Sequence, residues 1–337
     1  MPKPKVFVTR RILENGLNMV REFCQADVWP DEIPPSREIL LERVRGVDGL
    51  LCLLTDRIDA VVMDAAGPGL EVVSSFSVGV DNVDVAAATA RGISVGNTPG
   101  VLTDATADMA FALLLAAARR ILEGARGVRD GRWKTWGPDF LLGADLNGAT
   151  LGILGFGRIG RAVARRATGF GMRILFTDPQ PAAPSRSETG TTPEPGVSAS
   201  QVDFETLLRE SDFLSLHCPL TDETRSLMNA DTFAKMKPTA VLVNTSRGPV
   251  VDQTALYQAL ASKRIFAAAL DVTDPEPIPT DDPLLTLENC IIVPHIASAS
   301  WRTRERMSVM AAENLIAGLK GERLPNCVNP EVYEKRS

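Results

Sequence analysis

Four residues that carry charge or titrate stand just beyond short apolar runs. Arg247 follows TAVLV, Asp271 follows AAAL, Glu276 lies in DVTDPEP, and His295 follows CIIV. His295 is one of only two histidines in 337 residues, placed between Pro294 and the small-residue run IASAS. An arginine offers a planar fork that fits a carboxylate with two parallel hydrogen bonds. A histidine titrates near neutrality and can hand over a proton. A glutamate beside it would orient and charge the imidazole. Adding a hydride to a ketone also requires a proton, so the set reads as one reaction: Arg247 holds a carboxylate, His295 donates, and Glu276 supports His295. Each residue alone has a plainer reading. Arg247 could form a surface ion pair, Glu276 could be a solvated loop carboxylate, Asp271 could cap a turn, and His295 could simply pack.

A hydride needs a carrier, and a second motif points to one. Gly155, Gly157 and Gly160 directly follow TLGIL and open RIGRAVARRATGFG, and the next apolar run, MRILFTD, ends in Asp178. A strand, a GxGxxG turn, a helix and an acidic residue about 20 positions on make up the dinucleotide fingerprint. The first glycine makes the tight turn, the second lets backbone N–H groups approach a pyrophosphate, and the third lets helix and strand pack closely. Asp178 would accept ribose hydroxyls and repel a 2′-phosphate, which favours NAD(H) and leaves NADPH open. A glycine turn with no ligand is the alternative.

The elements that must position these residues are legible as alternation. KVFVT, GLLCLL, EVVSSFSV and GISVGN read as buried strands separated by helical stretches such as SREILLERV. A second series runs through GATLGILGFGRIG, MRILFTD, DFLSLHCPL, TAVLVNTSRG, FAAALDVTD and CIIVPHIAS. The pattern predicts an α/β fold with doubly wound parallel sheets, and the length suggests two domains. Between the series a long apolar helix is predicted from an N-cap at Thr103 to a stop at Gly131, carrying the chain into the second domain. Residues 179–200, with five prolines and no periodicity, read as a surface loop. No internal repeat is visible. The tail is expected to be helical to Leu319, then irregular, and to pack back on the first domain.

Composition narrows the function classes. The chain is 45% hydrophobic and 23% charged with a net charge of −6, globular values that lack the basic face a nucleic-acid or anionic-membrane partner requires. Five cysteines at wide spacings (Cys24, Cys52, Cys218, Cys290, Cys327) include no CxxC pair and no compact disulfide framework, which fits a reducing cytoplasm. No metal site is expected. MPKPKVFVTRR lacks the apolar run of a signal peptide, and MAFALLLAAA is too short to span a bilayer.

At these residues the chain resembles the NAD-dependent D-2-hydroxyacid dehydrogenase family over essentially its whole length, through SVGVDNVD, LTDATADMAFALLL, GILGFGRIG, HCPLTDET, NTSRG, DVTDPEP and PHIASAS. Within the family it is most similar to the glyoxylate/hydroxypyruvate reductases, particularly in TDATADMAFALLLAAARR and GERLPNCVNPEVY. The resemblance implies a Rossmann dinucleotide-binding domain, residues 102–293, inserted into a flavodoxin-like substrate domain made of 1–101 and 294–337, with a cleft between them. It implies Arg247, Glu276 and His295 as the catalytic trio, with Leu54, Val78, Gly79, Arg247 and Ser298 lining the substrate pocket. Thr106, Arg158, Ile159, Pro219 and Thr245 would contact NAD beside the three glycines and Asp178, Asp271 would hold the nicotinamide carboxamide, and His217 would be a cofactor-side residue.

The implied activity is NADH-dependent reduction of a small 2-keto acid to the D-2-hydroxy acid. Formate dehydrogenases resemble this chain but carry glutamine where Glu276 stands, and phosphite dehydrogenases carry lysine where Val78 stands. Other D-2-hydroxyacid dehydrogenases, of the phosphoglycerate or D-lactate type, are alternatives, as are the C-terminal-binding-protein corepressors, which use the fold as a dinucleotide-sensing scaffold. A homodimer is expected because MAFALLLAAA is more apolar than a half-exposed helix needs and RWKTWGPDF places two tryptophans on a protruding arm. The chain departs from its relatives after Asp178, where they usually carry a helix and often an arginine for NADP.

Overall fold

The structure, a computed structural model, describes residues 2–178 and 196–334, so most of the predicted 179–200 loop lies outside the described residues. The chain divides into two compact units, one of Met1–Leu102 with Ala299–Ser337, the other of Thr103–Ser298.

The first unit is built on five parallel strands: β1 (Lys5–Val8), β2 (Gln25–Val28), β3 (Gly49–Cys52), β4 (Val72–Ser75) and β5 (Ser94–Gly96), in the order β2-β1-β3-β4-β5. This is the flavodoxin-like order. Strand side chains alternate between faces, so both faces need an apolar cover. Val6, Val8, Leu51 and Val72 pack under α1 (Glu14–Phe23) and the C-terminal helix Trp301–Leu319. Phe7, Leu50, Cys52 and Val73 pack under α2 (Arg37–Arg43), α3 (Ala60–Ala66) and α4 (Val85–Ala90). Burial on both sides is why these strands read as continuous apolar runs. Beyond the C-terminal helix the tail pairs with β5, through Val328 N–H to the Val95 carbonyl at 2.8 Å.

The second unit has seven parallel strands: β6 (Thr150–Leu154), β7 (Arg173–Thr177), β8 (Ala199–Gln201), β9 (Phe213–Leu216), β10 (Val241–Asn244), β11 (Ala267–Leu270) and β12 (Cys290–Ile292). The order β12-β11-β10-β9-β6-β7-β8 reverses direction at β6/β9, the doubly wound arrangement of dinucleotide-binding domains. α5 (Thr103–Ala118) and α7 (Arg158–Gly169) cover Leu151, Ile153, Val241 and Ala269 on one face. On the other, α8 (Phe204–Glu210), α9 (Ala230–Lys235) and α10 (Gln253–Ala261) cover Leu214, Leu216, Leu242 and Leu270.

Three expectations change. The predicted 103–131 helix is two helices, α5 and α6 (Ile121–Arg129), and Thr103 is the first helical residue rather than its cap. The break falls at Arg120, which has φ 52. There the Ala118 carbonyl accepts the Ala144 N–H at 2.9 Å instead of an intrahelical donor, and Arg120 turns its guanidinium onto Glu123 at 2.7 Å. The end of the predicted 179–200 loop is not irregular, because Ala199 and Ser200 enter edge strand β8 beside β7. Finally, the boundary after Val293 moves to Ser298. Pro294–Ser298 stay with the second unit because the buried Asp271 accepts the N–H groups of Ile296, at 2.6 Å, and Ala297, at 2.9 Å.

Candidate active site

The glycine loop leaves β6 at the switch in strand order. Gly155 has φ +90, and a Cβ there would lie 2.6 Å from the Cys218 nitrogen. At Gly160 a Cβ would lie 2.2 Å from the Gly155 carbonyl oxygen. These two glycines are demanded by the chain itself. Gly157 is different, since a Cβ there would meet no atom within 4 Å. Its missing side chain serves no internal packing and leaves open space at the N-terminus of α7, where Gly157 makes no side-chain cap. Uncapped N–H groups and a helix dipole facing open space fit a pyrophosphate. Arg158 and Ile159 form the first turn of α7. Asp178, exposed just beyond β7, accepts the Phe156 N–H on Oδ1 at 2.7 Å, which ties it to the loop.

The carboxyl ends of β10, β11 and β12 are neighbours in the sheet, and each carries one or two of the singled-out residues. Arg247 is held by Asn244, fully buried at the end of β10, which donates through Nδ2 to the Arg247 carbonyl at 2.9 Å and accepts the Ser246 N–H and hydroxyl on Oδ1. Gly248 presses this turn against the loop after β11, because a Cβ there would sit 1.9 Å from the Thr273 carbonyl oxygen. That loop carries Glu276, whose Oε1 accepts the Thr273 N–H at 3.1 Å. Its Oε2 meets His295 Nδ1 at 2.8 Å. The pair is only 28% exposed on each side.

His295 has φ 52, and its N–H donates to the Asp271 carbonyl at 2.9 Å. A left-handed, non-glycine backbone costs about 1–3 kcal/mol and persists only where its surroundings impose it. Here Asp271 imposes it, its carbonyl taking the His295 N–H and its carboxyl the N–H groups of the next two residues. Burial is the largest influence on the Asp271 carboxyl and holds it above the usual range despite the two amide donors and the charge of His295. The turn-capping role open to Asp271 in the sequence is thus one it performs.

His217, at the end of β9, is set apart from this trio. Its Nε2 pairs with Ser215 Oγ at 2.8 Å and its Nδ1 lies 3.5 Å from Thr245 Oγ1. Burial pulls its pKa down to about 3, which keeps it neutral. Thr245 and Thr106 are buried, and Pro219 is exposed just after His217. Ser298 ends the second unit, whereas Leu54, Val78 and Gly79 belong to the first, after β3 and β4. Sequence reasoning passed over Asn244, Ser215 and Thr273. Asn244 stood within the quoted NTSRG motif, and its polarity at the end of a four-residue buried strand was the available signal.

A doubly wound sheet with an open glycine turn, next to strand ends bearing arginine, glutamate and histidine, defines the class of the nicotinamide-dependent hydroxyacid dehydrogenases. Residues 111–297, more than half of the chain, match the family model for the D-isomer specific 2-hydroxyacid dehydrogenase NAD binding domain. The chain belongs to this family. It is 56% identical to a glyoxylate reductase of Korarchaeum cryptofilum, over 99% of this chain and 98% of the relative. It is 50% identical to the human glyoxylate reductase/hydroxypyruvate reductase, over 96% and 97%. The crystal structure of the TT0316 protein of Thermus thermophilus superimposes with a TM-score of 0.88 at 49% identity, covering 96% of this chain and 99% of that one. Among the described residues no cluster could hold a metal, and no helix is long and apolar enough to cross a membrane.

Proposed function

We propose that this enzyme reduces a small 2-keto acid, glyoxylate or hydroxypyruvate, to the D-2-hydroxy acid with NADH. The observation that carries the reading is the 2.8 Å contact between Glu276 and His295 Nδ1. With Nδ1 engaged, Nε2 is the nitrogen left to give a proton to a carbonyl oxygen. Arg247 is the clamp for the keto acid's carboxylate, and Leu54, Val78, Gly79 and Ser298 complete the substrate site. NAD rests on Gly155, Gly157, Arg158, Ile159 and Gly160, with Thr106, Asp178, Pro219, Thr245 and Asp271 around it. When bound, the reduced nicotinamide supplies the hydride. His217, neutral and linked to Ser215, supports Thr245 and takes no part in proton delivery. Two relatives named as glyoxylate reductases, each matched along nearly its full length, support the substrate class.

NADH is the preferred carrier, because Asp178 would place a like charge beside a 2′-phosphate. An NADH-oxidation assay with glyoxylate, hydroxypyruvate and pyruvate, repeated with NADPH, tests both statements. Turnover of the first two with NADH at higher kcat/KM than with NADPH is expected. NADH binding without turnover would overturn the activity, and equal efficiency with NADPH would overturn the preference.

The working form is a cytoplasmic homodimer. The support is not α5, whose apolar face is used within its own unit, leaving only Asp104, Asp108 and Ala112 exposed. It is the stretch that follows, where Ile121, Leu122, Val128, Trp133, Trp136, Phe140 and Leu142 are all more than half exposed. So much apolar surface in one segment marks an interaction site, and sedimentation as a monomer at micromolar concentration would exclude a second copy as its cover.

A further inference from the structure

The loop after β4 brings together two peptide groups whose carbonyls are both fastened by one neighbouring segment. The Ser77 carbonyl accepts the Thr98 N–H at 2.8 Å, and the Val78 carbonyl accepts Asn97 Nδ2 at 2.7 Å. Across a trans peptide the C=O and the following N–H point in opposite directions. Fastening the carbonyls of Ser77 and Val78 to Asn97–Thr98 therefore aims the N–H groups of Val78 and Gly79 away from that segment. Neither N–H bonds to another described residue. The next carbonyl, that of Gly79, accepts the Ser77 hydroxyl at 2.6 Å, and Ser77 is itself paired with Ser75 at 2.7 Å.

Asn97 is in turn fixed by the end of the chain. Its N–H donates to the Asn326 carbonyl at 3.2 Å, and its carbonyl accepts Asn314 Nδ2 at 2.8 Å. Asn314, fully buried in the C-terminal helix, accepts the Asn326 N–H on Oδ1 at 2.9 Å. The preceding residue is glycine because a Cβ on Gly96 would lie 2.8 Å from that of Asn314. The LPNCVNP stretch of the tail thus reaches the loop after β4 through one side chain.

We propose that Asn97 is a positioning residue for the keto acid: its amide holds the Val78 peptide so that two adjacent N–H groups stand ready for a carboxylate, and the C-terminal tail sets Asn97. The inference rests on the reading above that the Val78–Gly79 loop meets the substrate. Asn97 is only half-buried, so its side chain can be changed without opening a core.

The test is steady-state kinetics on the full-length enzyme with glyoxylate. Asn97→Leu keeps the shape and removes the donor, and should raise KM about three- to tenfold with kcat within about twofold of the parent, since a lost neutral hydrogen bond that serves binding acts on KM. NADH affinity and melting temperature should stay near the parental values. If Asn97→Leu does not fold, Asn97→Ala removes the same donor without added bulk and is read the same way. Val78→Asp, run beside it, places a like charge at the loop and should raise KM strongly. A parental KM in the Asn97 variant while Val78→Asp raises it overturns the proposal. So does a joint fall in kcat, NADH affinity and melting temperature, which would make Asn97 a general structural residue. A parental KM in Val78→Asp would instead overturn the substrate assignment of the loop itself.

Discussion

At the carboxyl edge of the seven-stranded sheet the groups proposed for chemistry are side chains, braced by the backbone of their own loops: Glu276 by the Thr273 N–H and the Arg247 guanidinium by the Ser246 carbonyl. At the same edge of the five-stranded sheet the reverse holds. There the offered groups are peptide N–H donors, and side chains such as Asn97 and Ser77 do the bracing. A titrating or fork-shaped group can move a proton or answer a developing charge, whereas a fixed pair of amides only recognises an anion. The contrast implies a division of labour, with loss of His295 or Glu276 at the first edge felt in the chemical step and losses at the second felt in substrate affinity.

The largest effect should come from His295. Replacing it with glutamine removes the proton donor and should lower kcat for glyoxylate by about 10²- to 10⁴-fold, the usual worth of general acid catalysis. Calorimetric titration should show NADH binding as in the parent. A variant that lost KM instead of kcat would erase the contrast between the edges. Arg247→Lys sharpens it, because the charge remains and only the two-pronged geometry is lost. One charge-assisted hydrogen bond corresponds to about ten- to a hundredfold in kcat/KM, and near-parental kinetics would mean that the carboxylate is held elsewhere, the amide loop of the other sheet included.

The smallest effect concerns stability. His217 has a folded-state pKa of about 3 against an ordinary 6.5, so between those values the unfolded chain binds a proton that the folded chain refuses. Its contribution is constant above pH 6.5, and stability is lost as pH falls from 6.5 toward 3. His217→Asn should flatten that part of the melting-temperature profile relative to the parent while leaving the difference between the two proteins constant above pH 7. An unchanged acid slope would show that His217 is not the neutral, desolvated group described above.

The sequence made the central parts of both units legible for a physical reason. Strands covered on both faces must be apolar throughout, so KVFV, GLLC, TLGIL and VLVN announce themselves. The edge strands β2 and β8 are partly exposed and gave no such signal, being QADV and ASQ, whereas the edge strands β5 and β12, SVG and CII, are more buried and were legible. The break at Arg120 was hidden because helical spacing runs on through it, and its cause, the Ala144 N–H taking the Ala118 carbonyl, arrives from 26 residues downstream. Of the residues proposed for the site, Arg247, Glu276 and His295 were singled out in the sequence from what those side chains can do. Asn244, Thr273 and Asn97 were not, because a polar residue in a turn resembles any other until the fold shows which carbonyl or carboxylate it meets.

The account turns on Glu276 acting through His295 rather than beside it. Two residues that serve one proton transfer are not additive. Kcat for glyoxylate reduction, measured in Glu276→Gln, His295→Gln and the double variant, isolates that coupling. Glu276→Gln should be strongly impaired in the parental background and cost little more once His295 is gone. If the two losses multiply in the double variant, Glu276 and His295 work independently, and the 2.8 Å contact between them is not the path by which the proton is supplied.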